Sequence, residues 1–177
     1  NTTTYTYDAL GMLDTRTLPN GIMTDYDYND LLYLNQIIHC DPANGADSCT
    51  GGTQLSRYEY ILDNVGNRDL VKQYTGTIHT STIDWEYDSA HRLIEEIQRD
   101  VAGGNALMLH NVFVYDGTNN RTQMQTLDDL GNVTEHLYYN YNALDQLTEV
   151  RENDPTNGTI VSSYLYDDRG NLQQATE

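Results

Sequence analysis

Neighbouring carboxylates occur at Glu95/Glu96, Asp128/Asp129 and Asp167/Asp168, and five histidines stand at positions 39, 79, 91, 110 and 136. Two cysteines, Cys40 and Cys49, bracket the segment CDPANGADSC, with His39 alongside. Paired carboxylates are the material of general acid–base catalysis, and His/Cys groups that of metal binding. Each chemistry makes a demand on the backbone. A carboxylate dyad must face one way, yet adjacent residues of a strand point to opposite faces. A metal site needs three or four ligands at workable spacing, and nothing near Cys40 and Cys49 joins His39. A local disulfide is therefore the first reading of that pair, ahead of a metal or a free thiol. In an oxidising compartment it would contribute about 2–3 kcal/mol by the chain-entropy estimate. The run DYDYND at 25–30 has the acidity of a calcium loop, but Asp30 stands where an EF-hand needs Gly and Gln36 where it needs Glu. An EF-hand is excluded, and a weaker surface calcium contact stays open. Nucleophile-elbow, zinc-protease and phosphate-loop signatures are absent. The reading is no enzyme, no catalytic residue and no cofactor beyond that weak calcium.

Composition narrows the class. The 177 residues carry 27 acidic against 9 basic side chains, a formal charge of −18. Such a field repels nucleic acid and anionic membranes. No run of 18 apolar residues exists, so no helical membrane span is expected. The chain begins at Asn1 without a leader and is expected to be processed or cut from something longer. Fifteen residues are Tyr against one Phe and one Trp. Tyr buries its ring and keeps its hydroxyl at a polar edge, which predicts thin layers in place of a deep apolar core. Sequons at Asn1, Asn120, Asn132 and Asn157 are candidate glycosylation sites and fit an extracellular or cell-surface protein.

The tyrosines carry the organisation. An aromatic residue followed two positions later by Tyr occurs at Tyr5/Tyr7, Tyr26/Tyr28, Tyr58/Tyr60, Trp85/Tyr87, Phe113/Tyr115, Tyr139/Tyr141 and Tyr164/Tyr166. The seven copies absorb all aromatics except Tyr33, Tyr74 and Tyr138. The second Tyr recurs at intervals of 21, 32, 27, 28, 26 and 25 residues, and the long interval holds the cysteine segment. Residues 40–49 therefore read as an insertion clipped by its own disulfide. After the pair comes a tight turn. Asp8–Gly11, Asp63–Gly66 and Asp167–Gly170 place Asp where its carboxylate accepts from the backbone, and Gly where the turn needs a positive φ. Asp88 and Asp116 open the same device, with His91, Asn119 or Asp145 in the Gly slot of other copies. Leu32 fills that slot in the second copy; because a branched apolar residue does not tolerate it, the second copy is expected to turn differently. A further Gly- or Asn-bearing turn lies in each of the six gaps. Each repeat is thus a strand, a tight turn, a return strand and a looser turn, about 25 Å across at roughly 3.3 Å per residue. The stretch HRLIEEIQRDV has helix-compatible spacings, but strand alternation explains Leu93, Glu95 and Ile97 as well, and it is assigned to strand.

The phrases YTYDALGML, WEYDSAHRL, FVYDGTNNR, YNYNALDQL and YLYDDRGNL resemble the YD repeats of the Rhs family over essentially the whole chain. That family includes bacterial Rhs and wall-associated proteins, shell components of insecticidal toxin complexes, and teneurins. The resemblance implies an all-β fold of seven consecutive antiparallel hairpins in one continuous curved or spiralling sheet. Residues 1–177 would form a single array centred near Tyr7, Tyr28, Tyr60, Tyr87, Tyr115, Tyr141 and Tyr166. Large members curl into a hollow shell that can enclose a toxic C-terminal domain. No catalytic residue is carried over. The expected function is a structural module that assembles end to end through its terminal strands, as a filament subunit or a stretch of longer wall. Two alternatives are an adhesin that binds a glycan or a cell-surface protein on exposed Tyr rings, and part of a toxin shell.

Overall fold

The computed structural model describes residues 2–43 and 46–177; the candidate glycosylation site Asn1 lies outside them. Among the described residues the chain is all strand and turn. The strands are β1 (Thr4–Tyr7), β2 (Leu13–Thr17), β3 (Met23–Tyr28), β4 (Leu34–Asp41), β5 (Thr53–Leu62), β6 (Arg68–Thr75) and β7 (Ile78–Tyr87). They continue as β8 (Leu93–Asp100), β9 (Ala106–Tyr115), β10 (Arg121–Leu127), β11 (Val133–Tyr141), β12 (Leu147–Glu152), β13 (Thr159–Tyr166) and β14 (Leu172–Thr176). All fourteen lie in sequence order in one open antiparallel sheet. The segment HRLIEEIQRDV is the strand β8, as its alternation predicts.

Two compact units divide the chain. One holds Asn1–Trp85 with Gln98–Met108, the other Glu86–Ile97 with Leu109–Glu177. In the first, Met23, Cys40 and Cys49 form a small buried cluster with Ile38 against it, and Val71 is buried separately. In the second, Phe113 and Val150 are the buried apolar residues. So few buried side chains make the thin packing that a Tyr-rich composition implies.

The turn after each aromatic pair has one geometry in all seven copies. The first residue accepts the N–H of the fourth through its carbonyl and donates its own N–H to the carbonyl of the fifth. Asp8, for example, accepts from Gly11 at 3.1 Å and donates to Met12 at 2.9 Å. Its carboxylate takes the N–H groups of Leu10 and Met12 as well, both at 2.8 Å. The fourth residue is left-handed in every copy: Gly11, Leu32, Gly66, His91, Asn119, Asp145 and Gly170. This is a type I turn closed by a one-residue bulge, the usual form of a three-residue hairpin loop. The second copy therefore does not turn differently, contrary to the sequence expectation. Leu32 sits at φ 63°, and Asn29 makes the same bonds to the turn backbone as Asp8: carbonyl to Leu32 N–H (2.8 Å), its own N–H to the Tyr33 carbonyl (2.9 Å), and Oδ1 to Leu31 and Tyr33 N–H (3.0 Å each). The four bonds around Asn29 outweigh the roughly 1–2 kcal/mol a left-handed non-glycine costs, and the 46% exposed Leu32 side chain clashes with nothing inside.

Candidate functional site

The repeated side chains hold successive hairpins together. In four copies the second Tyr of the pair reaches back to the first residue of the preceding return strand. The Tyr28 hydroxyl donates to the Leu13 carbonyl (3.0 Å), Tyr115 to Leu93 (2.8 Å), Tyr141 to Arg121 (2.9 Å) and Tyr166 to Leu147 (3.0 Å). Burial pushes the Tyr28, Tyr139 and Tyr141 hydroxyls above the ordinary phenol range, so they stay protonated donors. This lock escapes sequence reading, although a signal for it exists. The first slot of the pair accepts Tyr, Trp or Phe, whereas the second is Tyr in all seven copies, as a hydroxyl requirement would enforce. In the third copy the pair Tyr58/Tyr60 sits two residues further from its turn, and Leu62 is the strand's last residue.

Strand register repeats with the same period. The third residue of each return strand lies opposite the fourth-from-last residue of the next strand: Thr15 with Asp25, Gln36 with Glu59, Leu70 with Asp84, Gln123 with Tyr138 and Glu149 with Ser163. Arginines lie over the rings: Arg68 over Tyr60 (4.8 Å), Arg92 over Tyr115 (4.9 Å), and Arg121 over Tyr139 (4.3 Å) and Phe113 (5.5 Å). Much of the scarce basic charge is therefore committed to cation–π contacts. The aromatic pairs of six copies are buried or half-buried, and among the paired aromatics Tyr5 (54%) and Tyr7 (63%) alone stand open to solvent.

Within each unit the post-aromatic turns are stitched to one another. In the first, the Tyr33 ring covers the 63–66 turn so closely that a Cβ on Gly66 would stand 2.9 Å from its Cζ. In the second, Arg92 donates to Asp88 (2.7 Å) and onward to the Asp116 carbonyl (3.0 Å) and Asn119 Oδ1 (3.1 Å). Asn120 Nδ2 donates to Asp145 Oδ1 (2.8 Å), and Gln146 Nε2 to the Gly170 carbonyl (3.3 Å). The sequon asparagines differ accordingly. The Asn120 amide is engaged by Asp116, Thr118 and Asp145, and that of Asn132 by Asp128, whereas Asn157 lies on an exposed return turn.

The residues that could have done chemistry are absorbed into structure. Asp128 and Asp167 cap turns, and Glu95 pairs with His110 at 2.6 Å. His39 bonds the buried Thr24 hydroxyl at 2.9 Å, and burial lowers its pKa. Cys40 and Cys49 are bridged. Beside the bridge, a cleft of about 550 Å³ is lined by Asp14, Asp25, Asp27, Gln36, Ile38 and Gln54 among others. Asp25 Oδ2 accepts the Cys49 N–H at 2.7 Å, while its Oδ1 is buried without a partner. Burial, with help from Asp27 and Asp14, pushes the Asp25 carboxyl up against the pull of that N–H. Among the described residues no three His, Cys, Asp or Glu side chains come together as a metal site. No helix is long and apolar enough to cross a membrane.

No protein-family model matches this sequence, and no curated protein does. Solved structures do. The chain superposes on the Photorhabdus luminescens Tc holotoxin pore with a TM-score of 0.70 at 19% identity, covering 98% of this chain and 9% of that one. The TcdB2-TccC3 complex matches with a TM-score of 0.69 at 20% identity, and the TcdB2-TccC3-Cdc42 complex with 0.72 at 19%, over the same shares. This chain thus spans about a tenth of the length of the chains it resembles, and its hairpin sheet has the fold of the YD-repeat proteins of Tc toxin complexes.

Proposed function

We propose that the chain is a non-enzymatic structural module, a stretch of Rhs-type wall in which residues 1–177 act as one array whose sheet is extended at both end strands. The observation that carries this reading is the sheet order: β1 and β14 are its two ends, each presenting a row of backbone N–H and C=O groups to solvent. The repeat runs undiminished to both ends, from Tyr5/Tyr7 to Tyr164/Tyr166. Similarity to much longer Tc chains supports a wall, since a solenoid-like array gains length by adding neighbours without redesign. The Cys40–Cys49 bridge supports a place outside the cell, where disulfides persist. The acidic surface favours protein neighbours over nucleic acid.

Light scattering of the 177-residue chain over a concentration series, with electron microscopy of the same samples, tests the proposal. Oligomers that grow with concentration are the expected result. A chain that stays monomeric throughout overturns end-to-end extension and leaves the exposed Tyr5 and Tyr7 rings as a binding surface for a glycan or protein.

A further inference from the structure

From the periodic register we infer that β14 of one copy takes β1 of a second copy as its next strand, with Gln174 opposite Thr4 and the Tyr7 hydroxyl donating to the Leu172 carbonyl of the neighbour. The inference rests on the end-to-end reading above and specifies its interface to the residue.

Three independent features of the end strands carry it. First is the register. At all five internal junctions where it is defined, the third residue of a return strand faces the fourth-from-last residue of the incoming strand. β14 begins at Leu172 and β1 ends at Tyr7, so the same rule places Gln174 against Thr4. Second is the unfilled lock. Tyr28, Tyr115, Tyr141 and Tyr166 each bond the carbonyl of the first residue of the return strand before them. Within these 177 residues no return strand precedes Tyr7, which is 63% exposed, and Leu172, the first residue of β14, is 55% exposed. Donor and acceptor of one such bond thus stand free at opposite ends of the sheet order. Third is the chemistry of the edges. Natural sheets blunt an open edge with charge or proline, yet TYTY in β1 and LQQAT in β14 contain neither. In a chain of net charge −18, two uncharged edges are where strand addition meets least repulsion. Main-chain bonds would supply affinity, and the tyrosine would fix which of the slipped pairings is adopted. The contact is head to tail, since the two surfaces differ.

Cross-linking reads the register directly. Thr4 and Gln174 are both exposed, so the double variant T4C/Q174C leaves the fold intact. Directly opposed strand residues lie close enough for a disulfide. The control is T4C/Q173C, because a slip of one residue turns the side chain to the other face. The expected result is a ladder of covalent oligomers on a non-reducing gel for T4C/Q174C and none for T4C/Q173C. In parallel, Y7F should weaken association measured by light scattering by roughly three- to tenfold, the effect of one hydrogen bond. Oligomers that form but cross-link equally well in both variants, or better through Gln173, overturn the register and leave end-to-end extension standing. Absence of oligomers in the parent chain and in both variants overturns both.

Discussion

The seven turns that follow an aromatic pair share one five-residue geometry, while the turns that lead into the next pair are of several kinds. Among the latter, 18–22 repeats the same backbone pattern with Leu18 in the Asp slot, and Gly76–Thr77 closes in two residues. Asp128–Asn132 copies the full carboxylate-capped device, and the 42–52 connection is closed by a disulfide. At 153–158 it is Asn153 that takes the positive φ; Gly158 is needed because a Cβ would strike the Glu152 carbonyl. One set of turns holds register, with the Tyr hydroxyl pinning the adjoining strand. The other absorbs differences in length, which is why the repeat interval ranges from 21 to 32 residues without breaking the ladder.

Capping aspartates occur in both sets of turns, and acid is expected to give the largest effect. Asp63, Asp88, Asp116 and Asp167 of the post-aromatic turns are held below their ordinary range, as are Asp128 and Asp154 of the return turns. For Asp88 the Arg92 N–H is the largest cause, and for Asp167 the Asn171 side chain. For Asp63 and Asp116 burial pushes upward as the largest single influence, but the surrounding donors together outweigh it. A carboxyl lowered by folding contributes stability that is complete above its unfolded pKa, about 3.9, and is lost as pH falls through the folded value. The urea midpoint should therefore fall steeply below about pH 4 as these caps protonate together. A midpoint that holds steady from pH 5 to pH 3 would show that the caps do not sustain the turns.

The next largest effect tests the other set. Replacing Cys40 and Cys49 with Ser opens the one return connection that is covalently closed, across a separation of 9 residues. The cost should be about 2–3 kcal/mol in equilibrium unfolding, by the chain-entropy estimate. Reductant should reproduce that loss in the parent chain and leave the double Ser variant unchanged.

The same contrast decides what could be read without coordinates. Periodicity in aromatic residues and the turn residues that follow them make the strands and post-aromatic turns legible, since these rest on local chemistry repeated seven times, and the Cys40–Cys49 bridge is legible from the short spacing of the two cysteines. Leu32 departs from its one-residue steric rule because the bonds around Asn29 hold it left-handed. The Tyr28-to-Leu13 lock and the Arg92-to-Asp116 stitch are hidden because they join residues 15 and 24 positions apart through backbone carbonyls, which carry no side-chain signature. The open ends could be anticipated, but which donor and acceptor they leave free depends on register, and register is visible only across paired strands.

A third measurement sharpens the account of Leu32. If the Asn29 turn tolerates strain and does not depend on it, Leu32→Gly should raise stability by about 1 kcal/mol, the relief of a left-handed side chain less the added freedom of the unfolded Gly. The urea midpoint should rise with no change in slope. A loss would mean that the exposed Leu32 side chain makes a stabilising contact of its own.

The smallest effect comes from the carboxylate beneath the return loop, and its sign should be opposite to that of the caps. Burial raises the Asp25 carboxyl, with Asp27 and Asp14 adding repulsion and the Cys49 N–H opposing both. A carboxyl raised by folding costs stability once it ionises, so that cost is absent at low pH and grows as pH rises through the folded value. Asp25→Asn keeps an oxygen able to accept from Cys49 and removes the charge facing Asp14 and Asp27. At pH 7 the variant should unfold at a slightly higher urea concentration than the parent, and the difference should close as the pH falls and Asp25 takes up its proton. If the variant is instead weaker at pH 7, the charge on Asp25 is what seats the Cys49 N–H. The loop would then be anchored as the post-aromatic turns are, by an ionised acceptor, and the two sets of turns would differ in length alone.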